Sequence, residues 1–148
     1  MPLWAKIVAG VLGLGFVLLV AAGILIPKML QRSWESFETA VTEAGEQGAE
    51  FGAAHSLDAC LESGARRSGE CQGMSLSCAP SVTAYLWGCL EAAPYDPEFC
   101  SNVPQANQDL AMERWARTRC RQYGQPDDEI CMLTMAVVAG FCESQGSR

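Results

Sequence analysis

The longest apolar stretch of the chain is Ile7 to Ile26, twenty consecutive positions without a charged or strongly polar side chain. At 1.5 Å rise per residue a helix of that length covers about 30 Å, the thickness of a bilayer's hydrocarbon core, so the pattern predicts a transmembrane helix. Trp4 and Trp34 flank it as amphipathic rings do at the two interfaces of a membrane. A cleavable secretory signal would have a shorter apolar core, about 7–15 residues, closed by small residues. Here the run passes Ala21-Ala22-Gly23 and continues through Ile24-Leu25-Ile26, so residues 1–32 are expected to be an uncleaved anchor. Within it Ala5, Ala9 and Gly13 recur every four residues, a spacing that lets two helix backbones approach closely. This is the candidate face for self-association in the membrane.

Beyond the anchor the periodicity is helical throughout. Residues 33–62 hold no proline, and Trp34, Phe37, Val41, Ala44, Phe51 and Leu61 form a sparse apolar stripe, so one helix is predicted there. Glycines at 45, 48 and 52 weaken it by up to about 1 kcal/mol each. Their three- and four-residue intervals suggest a close-packing face. A loop marked by Gly64, Gly69 and Gly73 follows, and Pro80 opens a second helix running to about Ala93. Asp96-Pro97-Glu98 can cap a short turn. A third helix is predicted from Gln105 to Tyr123, stopped by Gly124, and a fourth begins after Pro126. No alternating run of β-branched residues occurs. The expected class is all-α: a membrane helix followed by a bundle of about four helices over residues 33–148.

Charge divides the chain in the same place. Residues 1–32 carry Lys6, Lys28 and Arg32 and no acid, whereas residues 33–148 carry seven bases and 17 acids, a net −10. Nucleic-acid binding requires a basic face and is not expected. The positive residues flanking the apolar run are balanced, so they do not orient it. The cysteines do: all eight lie between Cys60 and Cys142, and an even, dense set fits an oxidising compartment. The N-terminus is therefore expected in the cytoplasm and residues 33–148 outside it.

Successive cysteines are separated by 11, 7, 11, 11, 20, 11 and 11 residues. Eleven residues are nearly three full helical turns, so such cysteines share a face about 16 Å apart and must bond to another helix or a loop. The bend at Gly124 sets Cys120 opposite Cys131, and Cys142 then falls near Cys100. With the first helix ending at residue 62, the same logic pairs Cys60 with Cys78 and leaves Cys71 for Cys89. Metal coordination is the rival, but no Cys-x2-Cys or Cys-x4-Cys knuckle occurs.

Little else suggests chemistry. The single histidine, His55, has Ser56 and Asp58 near it in sequence, but neighbouring residues on one helix point in different directions. Met112, Met132 and Met135 read as core filler rather than as a soft-metal site. No nucleotide-binding glycine motif, nucleophile elbow or zinc-protease signature occurs, so no cofactor, metal or catalytic residue is expected. Arg114, Arg117 and Arg121 share one face of the third helix beside Trp115. They are a candidate interaction face, or the counterpart of the seven acids in residues 33–62. The pattern describes a single-pass membrane protein that displays a small helical domain as an accessory or interaction subunit, with the bilayer and a membrane-protein partner as its contacts. A ligand- or metal-binding domain is the alternative, and a thiol-redox protein a weaker one.

Overall fold

Ser56 divides what the apolar pattern presents as one long helix. The computed structural model describes residues 34–71, 78–126 and 128–146, and its first helix, α1, covers 34–52. The chain then turns through residues 53–56, closed by Ala54 N–H to Phe51 O at 3.2 Å and His55 N–H to Gly52 O at 3.1 Å. Ser56 is extended, and its Oγ accepts from Ala59 N at 3.3 Å, so it caps a new helix, α2, Leu57–Gly69. Gly52 and the cap together make restarting the helix easier than continuing it. The helix expected over 33–62 is thus two helices. Gly64, read from the sequence as loop, is buried inside α2 with room for a methyl only 3.4 Å from Leu86.

The remaining helices are α3 (Cys78–Ala92), α4 (Pro97–Ser101), α5 (Asp109–Gln122) and α6 (Glu129–Gly146), six in all among the described residues, with no strand. Local chemistry sets their ends. Asp96 caps α4 by accepting from Glu98 N at 2.9 Å, with Pro97 in the first turn. Gly124, at φ +80°, provides the left-handed residue that ends the α5 turn, and Gln125 N–H reaches back to Cys120 O at 2.8 Å. Asp128 Oδ1 accepts from Ile130 N at 2.9 Å to start α6.

Contacts divide the chain after Glu38. In the described end of the first unit Trp34 is 68 % exposed, with its ring 5.7 Å from that of Phe37. In the second unit α2, α3 and α6 pack against one another and α5 packs on α6. Leu61, Leu86, Leu90, Met135, Val138 and Phe141 fill the centre. Tyr85 is buried beside them, its hydroxyl 2.8 Å from Ser63 Oγ and its ring covered by the Arg67 guanidinium at 3.8 Å.

Four disulfides close all eight cysteines. Cys120 joins Cys131 and Cys100 joins Cys142, with Cα separations of 6.0 and 5.4 Å. The expected pairs Cys60–Cys78 and Cys71–Cys89 are not formed: Cys60 bonds Cys89 and Cys71 bonds Cys78, at 5.7 and 5.8 Å. The break at residues 53–56 explains the exchange. It puts Cys60 in the first turn of α2 instead of at a helix end, and α2 and α3 pack antiparallel, with Cys60 beside Cys89 and Cys71 beside Cys78. The eleven-residue spacing of both cysteine pairs then gives one disulfide at each end of the α2–α3 pair.

The apolar run over residues 7–26, with Ala5, Ala9 and Gly13, lies outside the described residues. Among the described residues no helix is long and apolar enough to cross a membrane.

Candidate interaction surface

The glycines of α1 bring it against α3 backbone to backbone. A methyl built on Gly48 would lie 2.8 Å from the carbonyl carbon of Tyr85, and one on Gly52 would lie 2.8 Å from that of Cys89. From the other side, a methyl on Gly88 would lie 3.2 Å from the carbonyl carbon of Gly45. Contacts this short between neighbouring backbones leave no room for side chains at the crossing. Beside it, where the two helices meet α6, small residues leave the surface open. The result is a groove of about 910 Å³ lined by Val41 and Ala49 of α1, Ala84 and Trp87 of α3, and Val137 and Gly140 of α6. Trp87 is 36 % exposed and its ring meets Phe141 edge-on, centroids 6.5 Å apart. Apolar surface is thus left in water along a trough whose wall is anchored in the core.

The rim is acidic. Glu46 and Glu91 line the groove, both exposed and neither paired with a base among the described residues. The six bases in the described residues are all arginines, Arg66 and Arg67 on α2 and Arg114, Arg117, Arg119 and Arg121 on α5. The described parts of α1, α3, α4 and α6 have none. A second groove of about 500 Å³ lies between α5 and α6, over Met112, Ala116, Met132 and Leu133, with Asp109, Glu113 and Glu129 at its edge. Its rim is partly neutralised, because Glu113 accepts from Arg117 at 2.9 Å.

The arginine face expected from the sequence is exposed but does not meet the acids of α1. Arg117 pairs with Glu113 on its own helix, and Arg114 and Arg121 point into solvent. Arg119 makes the link between helices, 3.9 Å from Asp58 of α2 and 5.7 Å above the half-buried Trp115 ring. Burial pushes the phenol of the adjacent Tyr123 above its ordinary value, against a smaller opposing effect from Arg119.

His55 stacks on Phe51 at 3.8 Å, its Nδ1–H donating to Phe51 O at 2.7 Å, while the Ser56 hydroxyl is committed to its cap. These side chains do not form a nucleophile and base. Among the described residues no three His, Cys, Asp or Glu side chains are placed to hold a metal. Met112 and Met135 are buried in the packing.

Sequence reasoning found the close-packing glycines of α1, Gly45, Gly48 and Gly52, of which Gly45 lines the groove, and missed the α3 and α6 walls. Ala84, Gly88 and Ala92 recur every four residues on α3, the same small-residue interval, and could have revealed the facing helix. Comparison with protein-family models, with curated proteins and with solved structures finds no match.

Proposed function

We propose that this chain is a membrane-anchored interaction subunit: residues 1–32 hold it in the bilayer, and the disulfide-stapled helices stand outside the cytoplasm to engage a membrane-protein partner. The apolar groove between α1, α3 and α6 carries the reading, since it exposes Trp87 beside a rim of unpaired acids on a folded, stapled framework. Exposed apolar troughs edged by polar groups are where proteins meet partners. The uncharged run over 7–26 supports the anchor, and the complete oxidation of eight cysteines supports an oxidising compartment. Self-association through Ala5, Ala9 and Gly13 belongs to the same proposal.

Two fractionation results test it. The full chain stays with membranes through an alkaline carbonate wash, and protease added to intact cells, or to spheroplasts where an outer membrane exists, degrades residues 33–148. A chain released by the wash, or protected until lysis, overturns the reading. A second reading, an extracytoplasmic domain binding an apolar ligand, draws on the groove's volume of about 910 Å³, at the upper end of the size range of small-molecule sites. A stoichiometric small molecule retained in native mass spectrometry would favour it over a protein partner.

A further inference from the structure

We infer that the occupant of the α1–α3–α6 groove is an amphipathic helix of another protein, apolar on the face that enters and edged with lysine or arginine. This rests on the interaction role proposed above and specifies its partner. The shape is that of a bundle with one helix missing. Ala49, Ala84, Gly88, Ala92 and Gly140 present almost no side chain, so a guest helix can approach at the 8–10 Å interaxial distance of packed helices. Trp87, anchored edge-on against Phe141, provides one large apolar wall.

Charge selects among guests. Glu46 and Glu91 have no partner base among the described residues, and no base lies on the described parts of the three helices that form the trough. A second copy of this chain would bring the same acidic rim against its own, in a domain already at net −10, and like charges facing each other across an interface are repelled. An acidic or neutral helix gains nothing from the rim. A helix with basic edges over an apolar stripe satisfies floor, wall and rim together. The chain's own residues 1–32 also have this chemistry, with Lys6, Lys28 and Arg32 around an apolar run, and are the competing occupant.

The test uses the full, oxidised chain in nanodiscs of zwitterionic lipid. Two labelled helical peptides share a Leu/Ala stripe, one edged with lysines and the other with glutamates, and empty discs provide the lipid background. The lysine-edged peptide binds the chain above that background and the glutamate-edged one does not. The double substitution Glu46→Gln, Glu91→Gln weakens binding about three- to tenfold and flattens its salt dependence, as two exposed rim pairs should. Thr83→Trp fills the trough and costs more than about tenfold, since contacts at the centre of a site dominate binding. Ala92→Trp, at an exposed position, repeats that test if the first variant melts early. Equal binding of both peptides, or affinity unchanged by the filling substitutions, overturns the inference. Peptide binding that emerges only after Lys28→Gln and Arg32→Gln also overturns it, and assigns the groove to the chain's own N-terminal segment. If the peptide fails while the chain still fractionates with membranes and is cut from outside, the occupant is wrong and the anchored-subunit reading stands.

Discussion

Replacing Gly48 by alanine should destabilise this protein, although the same change one turn earlier, at Gly45, should stabilise it. Both positions lie inside α1, so both gain about 1 kcal/mol of helix propensity on acquiring a methyl. What differs is the space. At Gly45 the new Cβ meets Ala84 O at 3.8 Å, an ordinary contact. At Gly48 it would stand 2.8 Å from the carbonyl carbon and 3.0 Å from the Cα of Tyr85. A side chain could swing aside, but this obstacle is backbone in the middle of α3, whose side chain is buried and hydrogen-bonded to Ser63. The helices must separate, at the usual overpacking cost of about 1–3 kcal/mol. Because the propensity gain is common to both, the difference between the variants isolates that cost. It corresponds to melting temperatures roughly 4–12 °C apart for a domain of this size. Thermal unfolding of the oxidised full chain in nanodiscs, followed by circular dichroism, measures it. Equal melting temperatures for Gly45→Ala and Gly48→Ala would refute the backbone contact and with it the origin of the groove.

The disulfides separate by the loops they close: chain entropy gives about 4 kcal/mol for Cys100–Cys142 and about 2.5 kcal/mol for Cys71–Cys78. All four of these cysteines are half-buried, so the double serine variant of the first pair should unfold at lower denaturant than that of the second. Peptide mapping without reduction should recover Cys60 linked to Cys89 and no Cys60–Cys78 peptide. Changing Arg114, Arg117 and Arg121 together to Gln should shift stability by no more than about 0.5 kcal/mol, the value of one exposed pair within a helix, as read by chemical denaturation. Tyr123 binds its proton more tightly folded than unfolded, so its contribution is complete below the ordinary tyrosine range and is lost as pH rises through the folded value. Ultraviolet titration should lose a late tyrosinate signal in Tyr123→Phe, and that variant should lose less stability than the parent in strong alkali.

How much of this was legible beforehand turns on one short segment. Residues 53–56 contain neither proline nor glycine, and Ser56 precedes Leu57-Asp58-Ala59 without the Glu or Gln that completes a capping box, so the pattern ran through the break. At Gly124 and Pro126 the bend was marked, and placing cysteines about one turn from it led to Cys120–Cys131. The same rule applied to a helix end at residue 62 exchanges the partners of Cys60 and Cys71, because α2 ends at Gly69 and it is Cys71 that meets Cys78. The glycine spacing of α1 was informative because only backbone contact accounts for it, whereas Trp87 and Gly140 come together through tertiary packing that no local pattern encodes. The arginine face was visible as a helical face, but whether exposed arginines pair with their own helix or a distant one depends on where the acids of α2 lie, and that again followed from the break.

The claim that the α1–α3–α6 groove is where a partner docks is tested most directly by photo-crosslinking in intact cells. A benzophenone amino acid at Val137, inside the groove, is compared with one at Arg121, on the exposed face of α5. From Val137 a discrete adduct to one membrane protein is predicted, weakened by Glu46→Gln with Glu91→Gln, and from Arg121 none. Adducts formed from Arg121 and absent from Val137 would contradict the account and return the interaction surface to the arginine face.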